Sequence, residues 1–313
     1  MALSIDQANA VSTRHFDKGK ITDQVYEEVV VLDRLKKSNR IVVKGGTKIQ
    51  HTIRHAELGD AAMIDPDAGR LTAQYDTRTA LELDWRWAKC DIPMTWKERT
   101  YNKGEKQIIN LMADKYTEGA QEIAKLISTQ FHQAYTSKGS YDMDGFFSCV
   151  RAAATTYAGI SQSDASAWNR GLYDITTATL ALYGTGSIDA GIQACWFRDR
   201  PDLMITTRAL ASIYASKLQP GERRKPEGGR AGATDLYFAS IPIITDAQTN
   251  DNTWMYVKTD LMFLFVSPDD NFDVGPWESD PDHFKAIRCL YTVVGNFLFT
   301  RRKAFGAYTA LTS

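Results

Sequence analysis

Long apolar runs are absent from this 313-residue sequence. No stretch approaches the roughly eighteen apolar residues that cross a bilayer. The first residues, MALSIDQANAVSTRHFDKGK, hold no apolar core of signal-peptide length. The expectation is a protein made and used in the cytoplasm, away from membranes. An excess of one charge is missing too: 37 Lys and Arg face 38 Asp and Glu, for a net charge of -1. That balance argues against a dedicated nucleic-acid binder, although a local basic patch stays open. Cysteine is scarce, and Cys90, Cys149, Cys195 and Cys289 make no CxxC pair. A zinc site or redox motif is therefore not expected, and free thiols buried in a reducing compartment are. With 43% apolar and 24% charged residues, the chain has the composition of a folded protein. Its length permits two domains or one elongated one.

Recognisable catalytic patterns are equally missing. His51 and His55 stand four apart, but on a strand that spacing is about 13 Å, too far for one metal ion, and HTIRH is not HExxH. Asp269, Asn271 and Asp273 open like a calcium loop, yet Val274 stands where the turn needs Gly and Asp280 where the loop ends in Glu. Gly184, Gly186 and Gly191 miss the dinucleotide spacing, and neither a Walker sequence nor a GxSxG elbow occurs. The seven tryptophans are scattered, as packing anchors are. No catalytic, cofactor-binding or metal-binding residue is singled out, and no cofactor is expected.

What is there is a long one-sided helix. From Lys103 to Tyr135, residues Ile109, Met112, Tyr116, Ala120, Ile123, Ile127, Phe131 and Ala134 recur at steps of three and four, with charged residues on other faces. Some thirty residues make a rod of roughly 50 Å, and Gly119 is expected to weaken it locally. Ahead of it, ITDQVYEEVVVLDRLKKSNR suggests a short helix with Val25, Val29 and Leu32 on one side. That segment is either an arm packing elsewhere or a helix folded on its own domain. From Ile41 the period becomes two. IVVKGGTKIQHTIRHAE and RTALELDWRWAKCDIPMTW form the legs of an expected hairpin, with Leu81, Leu83, Trp85 and Trp87 on one face and a Gly-, Asp- and Pro-rich tip between the legs. Such a hairpin needs a partner surface, from the same chain or a neighbouring copy.

Beyond the helix, Leu203 to Thr206 is expected as a buried strand leading into a helix. QPGERRKPEGGRAGATD, which carries Arg223, Arg224, Lys225 and Arg230, is the strongest loop signal, and its basic cluster suits a partner contact. YFASIPIIT, TWMYVKT and LMFLFVS are strand-like. PDDNFDVGPWESDPDHF has the composition of an acidic linker, and the final FKAIRCLYTVVGNFLFTRRKAFGAYTAL suggests two long strands around Gly295.

This order of parts resembles the major capsid proteins of tailed bacteriophages, with the Hong Kong 97-type (HK97-like) fold. GISQSDASAWNRG, with Ile160, Trp168, Asn169 and Arg170, resembles the turn after their spine helix. RPDLMITTRALASIYASKL resembles their entry into the axial domain, and FASIPIITDAQTNDNTWMYVKTDLMFLFVSP the pattern that follows. The resemblance implies an α+β fold with an N-terminal arm (1–40), an extended loop (41–94), a peripheral domain with the spine helix (95–185), an axial domain (186–274) and peripheral C-terminal strands (275–313). It implies a structural, non-enzymatic protein of the virion that self-assembles as pentamers and hexamers into an icosahedral head around double-stranded DNA, touched weakly. Expected partners are other copies, a scaffolding protein and a portal, with a decoration protein as an optional addition. The alternative is an encapsulin-like shell around cargo enzymes. On this reading Trp85, Trp87, Arg223, Arg224 and Arg230 are candidate inter-subunit contacts, and Gly45 and Gly46 candidate hinges for maturation.

Overall fold

The computed structural model describes residues 30–54, 77–101, 105–151, 156–161, 168, 171–196, 200–218 and 236–312. A helix at Val30–Lys37 buries Val31, Leu32 and Leu35 in the chain's own core. For these residues the folded-back alternative holds. Val25 and Val29 lie outside the described residues.

Four strands follow: β1 (Ile41–Val43), β2 (Ile49–Arg54), β3 (Arg78–Leu83) and β4 (Arg86–Met94). β2 and β3 pair antiparallel, from Ile49 opposite Leu83 to Arg54 opposite Arg78. The expected hairpin therefore exists, but it is shorter than 41–94, because β1 and β4 leave it for another sheet.

The spine helix, Glu105–His132, spans about 42 Å at 1.5 Å per residue. Met112, Tyr116, Ala120, Ile123, Ile127 and Phe131 are all buried, as the periodicity requires. β4 packs across it. A Cβ on Gly119 would stand 2.5 Å from Ile92 Cδ1 and 3.0 Å from Cγ1. This glycine, expected only to weaken the helix, instead lets strand and helix approach.

The later strands are β5 (Leu172–Asp174), β6 (Ala178–Thr179), β7 (Leu203–Thr206), β8 (Leu236–Phe238), β9 (Ile241–Thr245), β10 (Trp254–Val257), β11 (Met262–Val266), β12 (Asp273–Val274), β13 (Glu278–Ser279), β14 (Ile287–Phe299), β15 (Gly306–Tyr308) and β16 (Leu311–Thr312). β7 runs into a helix at Arg208–Lys217 whose Thr207 caps the N-terminus by accepting from Leu210 N. β14 organises the sheet on the spine. β4 lies along one stretch of it, while β13, β12 and β11 pair with successive parts, and β1 adds parallel to β11.

Two expectations about the C-terminal quarter change. Gly295 does not divide two strands. β14 runs straight through it, since a Cβ there would meet Phe265 O at 2.5 Å and only glycine admits β11 so closely. The acidic stretch from Pro268 is more than a linker: Phe272 and Trp277 are each 1% exposed, and β12 and β13 within it pair with β14.

The second sheet has the order β5-β15-β10-β7-β9-β8. Its central strands are buried on both faces. Leu203, Ile205, Met255 and Val257 enter the spine core, while Met204, Trp254 and Tyr256 enter a separate core with Ile188, Ile192 and Tyr214. The sheets draw on segments from both sides of the boundaries expected at 94, 185 and 274: β4 and β11 belong with β14, and β15 with the second sheet.

Candidate assembly surfaces

Cys149, Cys195 and Cys289 are enclosed by the fold. Burial pushes the Cys149 thiol up to about 12 and the Cys289 thiol to about 11, and raises Cys195 as well. Protonated, enclosed thiols are poor nucleophiles and metal ligands. His51 is lowered by burial and then by Lys44, and its ring lies 5.8 Å from that of Phe263. His55 lies outside the described residues. Among the described residues no group of three or more His, Cys, Asp or Glu could hold a metal ion, and no helix is long and apolar enough to cross a membrane. An open cleft of about 490 Å³ is lined by Asp189, Ile192, Gln193, Trp196, Arg200 and Ala239. Asp189 is engaged by Gln193 at 2.7 Å, and the Arg200 guanidinium lies 5.0 Å from the Trp196 ring centre. Among the described residues its lining pairs no nucleophile with a base.

The two tryptophans expected on one face have opposite fates. Trp85 is 8% exposed, and its indole N–H donates to Gly46 O at 2.7 Å. It packs on its own chain and leaves little of its ring open to a neighbour. Trp87 is 73% exposed. The cause is a one-residue slip in the alternation. β3 ends at Leu83 and β4 begins at Arg86, so Leu81, Leu83 and Trp85 face inward on odd numbers, whereas Ala88, Ile92 and Met94 do so on even ones. The chain changes sheets at the slip.

Trp87 therefore heads an outward face with Lys89, Asp91 and Pro93, beside Arg288 and Leu290 of β14. Lys89 and Asp91 form a surface ion pair at 3.0 Å. Leu290 was detectable in the sequence, as an apolar residue in the polar phase of Ile287–Cys289–Tyr291–Val293. At the far end of the β4–β14 ladder, Trp96 and Phe284 meet edge to face at 6.1 Å, with Lys285 Nζ 5.5 Å and 5.1 Å from their ring centres. Phe284 is 77% exposed. Nothing local marked this pair, because the two residues meet only through the ladder.

Gly45 and Gly46 sit between β1, held in the spine sheet by Lys44 N donating to Val266 O at 3.1 Å, and the hairpin. Gly46 has φ +134°, where side chains are strained. Gly45 has only ordinary contacts with Pro268. Arg223, Arg224 and Arg230 lie outside the described residues.

The joint between the spine and the second sheet is polar. His132, 1% exposed, donates from Nδ1 to Ser128 O at 2.9 Å and turns Nε2 toward Asp246 Oδ2 at 4.0 Å. Asn250 donates to His132 O at 2.8 Å, and Thr129 to Gln248 at 3.1 Å. Burial lowers the His132 pKa, partly opposed by Asp246 and by the bond to Ser128.

No family model and no curated protein matches the chain. Solved structures do. The cyanophage A-1(L) capsid matches with TM-score 0.62 at 12% identity, over 88% of this chain and 91% of that one. The capsid of the native GTA particle matches with TM-score 0.60 at 12% identity, over 89% and 90%. The satellite phage P4 procapsid that includes the size determination protein matches with TM-score 0.58 at 12% identity, over 95% and 91%. With these matches over about nine-tenths of both chains, the protein has the Hong Kong 97-type fold of phage capsid proteins.

Proposed function

We propose that this chain is a structural shell subunit, a major capsid protein that self-assembles as pentamers and hexamers into an icosahedral phage head around double-stranded DNA. The observation that carries the proposal is the match, over about nine-tenths of both chains, to proteins whose structures were determined as capsids. The exposed face of Trp87, Leu290 and Pro93 supports it, since apolar surface left open on one side of a well-packed sheet suits contact with another copy. The near-zero net charge suits a wall that touches DNA weakly while copies touch each other. In this reading residues 1–40, 41–94, 95–185, 186–274 and 275–313 act as arm, extended loop, peripheral domain, axial domain and peripheral strands. The hairpin turns about Gly45 and Gly46 during maturation, and a scaffolding protein and a portal join assembly in the host cytoplasm.

The test is electron microscopy and light scattering of the purified protein, alone and coexpressed with its neighbouring genes. Closed shells, or rings of five and six, are expected, with packaged DNA in the mature particle. Shells that hold a cargo enzyme and no DNA would favour the encapsulin-like alternative. A uniform monomer or dimer under every condition would overturn both.

A further inference from the structure

Among the described residues, β4 pairs only with β14, from Met94 opposite Ile287 to Arg86 opposite Gly295. Gly295 also pairs with Val266 of β11, so β4 and β11 flank β14 on opposite sides and β4 closes the sheet as an edge. Its nine residues make a long edge to leave unpaired. Pro93 has no N–H to give, and proline within a sheet stands where its nitrogen faces away from the ladder. The alternation of antiparallel pairs then turns the N–H and C=O groups of Trp87, Lys89 and Asp91 to the same open edge. Among the described residues no turn or loop closes that edge with a backbone bond to them. The side chains of Trp87, Lys89, Asp91 and Pro93 are all exposed.

This edge is complementary to a second copy of itself in one register only. When two β4 strands pair antiparallel, facing residues must lie on the same side of the sheet, so the two-fold axis falls on a residue and not between two. An axis at Lys89 sets lysine opposite lysine, and an axis at Asp91 sets aspartate opposite aspartate, both destabilising. An axis at Cys90 sets Lys89 opposite Asp91 and Trp87 opposite Pro93, twice over. We propose that β4 of one copy pairs antiparallel with β4 of a second copy about a two-fold axis at Cys90.

The pairing, which rests on the reading of this chain as a self-assembling subunit, joins two spine sheets into one. Lys89 and Asp91 exchange N–H···O bonds across the axis, and Trp87 N–H donates to the Pro93 carbonyl, which asks nothing of the proline nitrogen. Trp87, 73% exposed in the lone subunit, gains an apolar neighbour in Pro93 of the second copy. Lysine and proline on an edge usually deter pairing. Here the deterrent is selective, because Lys89 repels the register that sets it opposite another lysine and suits the one that sets it opposite Asp91. Cys90, half-buried on the other side of the strand, meets Cys90 of the second copy in a non-hydrogen-bonded pair. Cα atoms in such a pair stand about 4.5 Å apart, within reach of a disulfide.

Oxidation of the full chain with copper phenanthroline, purified alone and after coexpression with its neighbouring genes, tests this. The expected result is a disulfide-linked dimer in which peptide mapping joins Cys90 to Cys90, absent from Cys90→Ser. Lys89→Asp sets two carboxylates opposite each other, so the linked dimer is expected to fall more than about tenfold in a subunit that circular dichroism shows to be folded. Lys89→Asp combined with Asp91→Lys is expected to restore it. Shells that form without a Cys90–Cys90 link overturn the pairing and leave the shell reading standing. So does a link that Lys89→Asp does not weaken. Linked dimers that never grow into rings or shells overturn the shell reading and keep the pairing. An unlinked monomer under every condition overturns both.

Discussion

The two large sheets solve the burial problem differently. In the second sheet, β7 and β10 lie between two cores, so every residue of each is buried. In the spine sheet, β4 and the first half of β14 alternate, one face against the helix and the other open with Trp87, Leu290 and Arg288. Only past Thr292 does β14 become buried at every residue. A sheet enclosed on both faces is finished within its own chain. A sheet with an apolar open face is incomplete alone, and the proposed assembly would cover that face.

The sharpest way to break this contrast is to cut into the enclosed sheet. Trp254 is 0% exposed and packs 5.9 Å from the Tyr214 ring. Trp254→Ala should cost about 3–5 kcal/mol, read as a fall in the urea midpoint of the unassembled subunit. A loss below about 1 kcal/mol would mean that the second core is loosely packed. Next comes the contact between spine and β4. Gly119→Ala gains up to about 1 kcal/mol of helix propensity but drives Cβ into the buried Ile92, so a net loss of about 1–2 kcal/mol is expected. Adding Ile92→Val should recover part of that loss if the clash is its cause.

A smaller effect belongs to the joint between the sheets. Because burial lowers the folded pKa of His132 below its ordinary 6.5, the unfolded chain binds more protons as pH falls through that value. Stability is therefore complete above about pH 6.5 and declines below it. His132→Gln should flatten this slope between pH 7 and pH 5 in denaturant titrations, and an unchanged slope would assign the acid sensitivity elsewhere. The smallest effect on folding is expected at the open face. Trp87→Ala should change subunit stability by no more than about 0.5 kcal/mol, yet reduce shell yield more than tenfold if the tryptophan anchors a neighbour. Trp85→Ala, by contrast, should destabilise the subunit itself, since it fills the hairpin base and loses the bond to Gly46.

The pair Trp85 and Trp87 also shows where a one-dimensional pattern stops being enough. Period-two alternation assigns both to one face, and it holds only while the strand stays in one sheet. The two-residue passage from β3 to β4 shifts the phase, and nothing in Asp84–Trp85–Arg86 announces it. Phe272 and Trp277 behave alike: the surrounding acids describe a loop, and the burial comes from β14. The candidate contacts Arg223, Arg224 and Arg230 fall outside the described residues, so they stand as they did in the sequence.

What the sequence determined alone is whatever depends on neighbours along the chain. Heptad-like spacing specifies the spine helix and its buried stripe, the apolar run Leu203–Ile205 specifies an enclosed strand, and turn residues separate β8 to β11. What only the tertiary structure decided is whatever depends on a surface brought from far away. Gly119 and Gly295 became sites of close approach instead of breaks, because Ile92 and Phe265 arrive against them. Asp144 and Asn296, 152 residues apart, became hydrogen-bond partners because β14 threads the sheet beside the loop that follows the spine. Local periodicity encodes which side of an element is apolar, and only packing says what it meets.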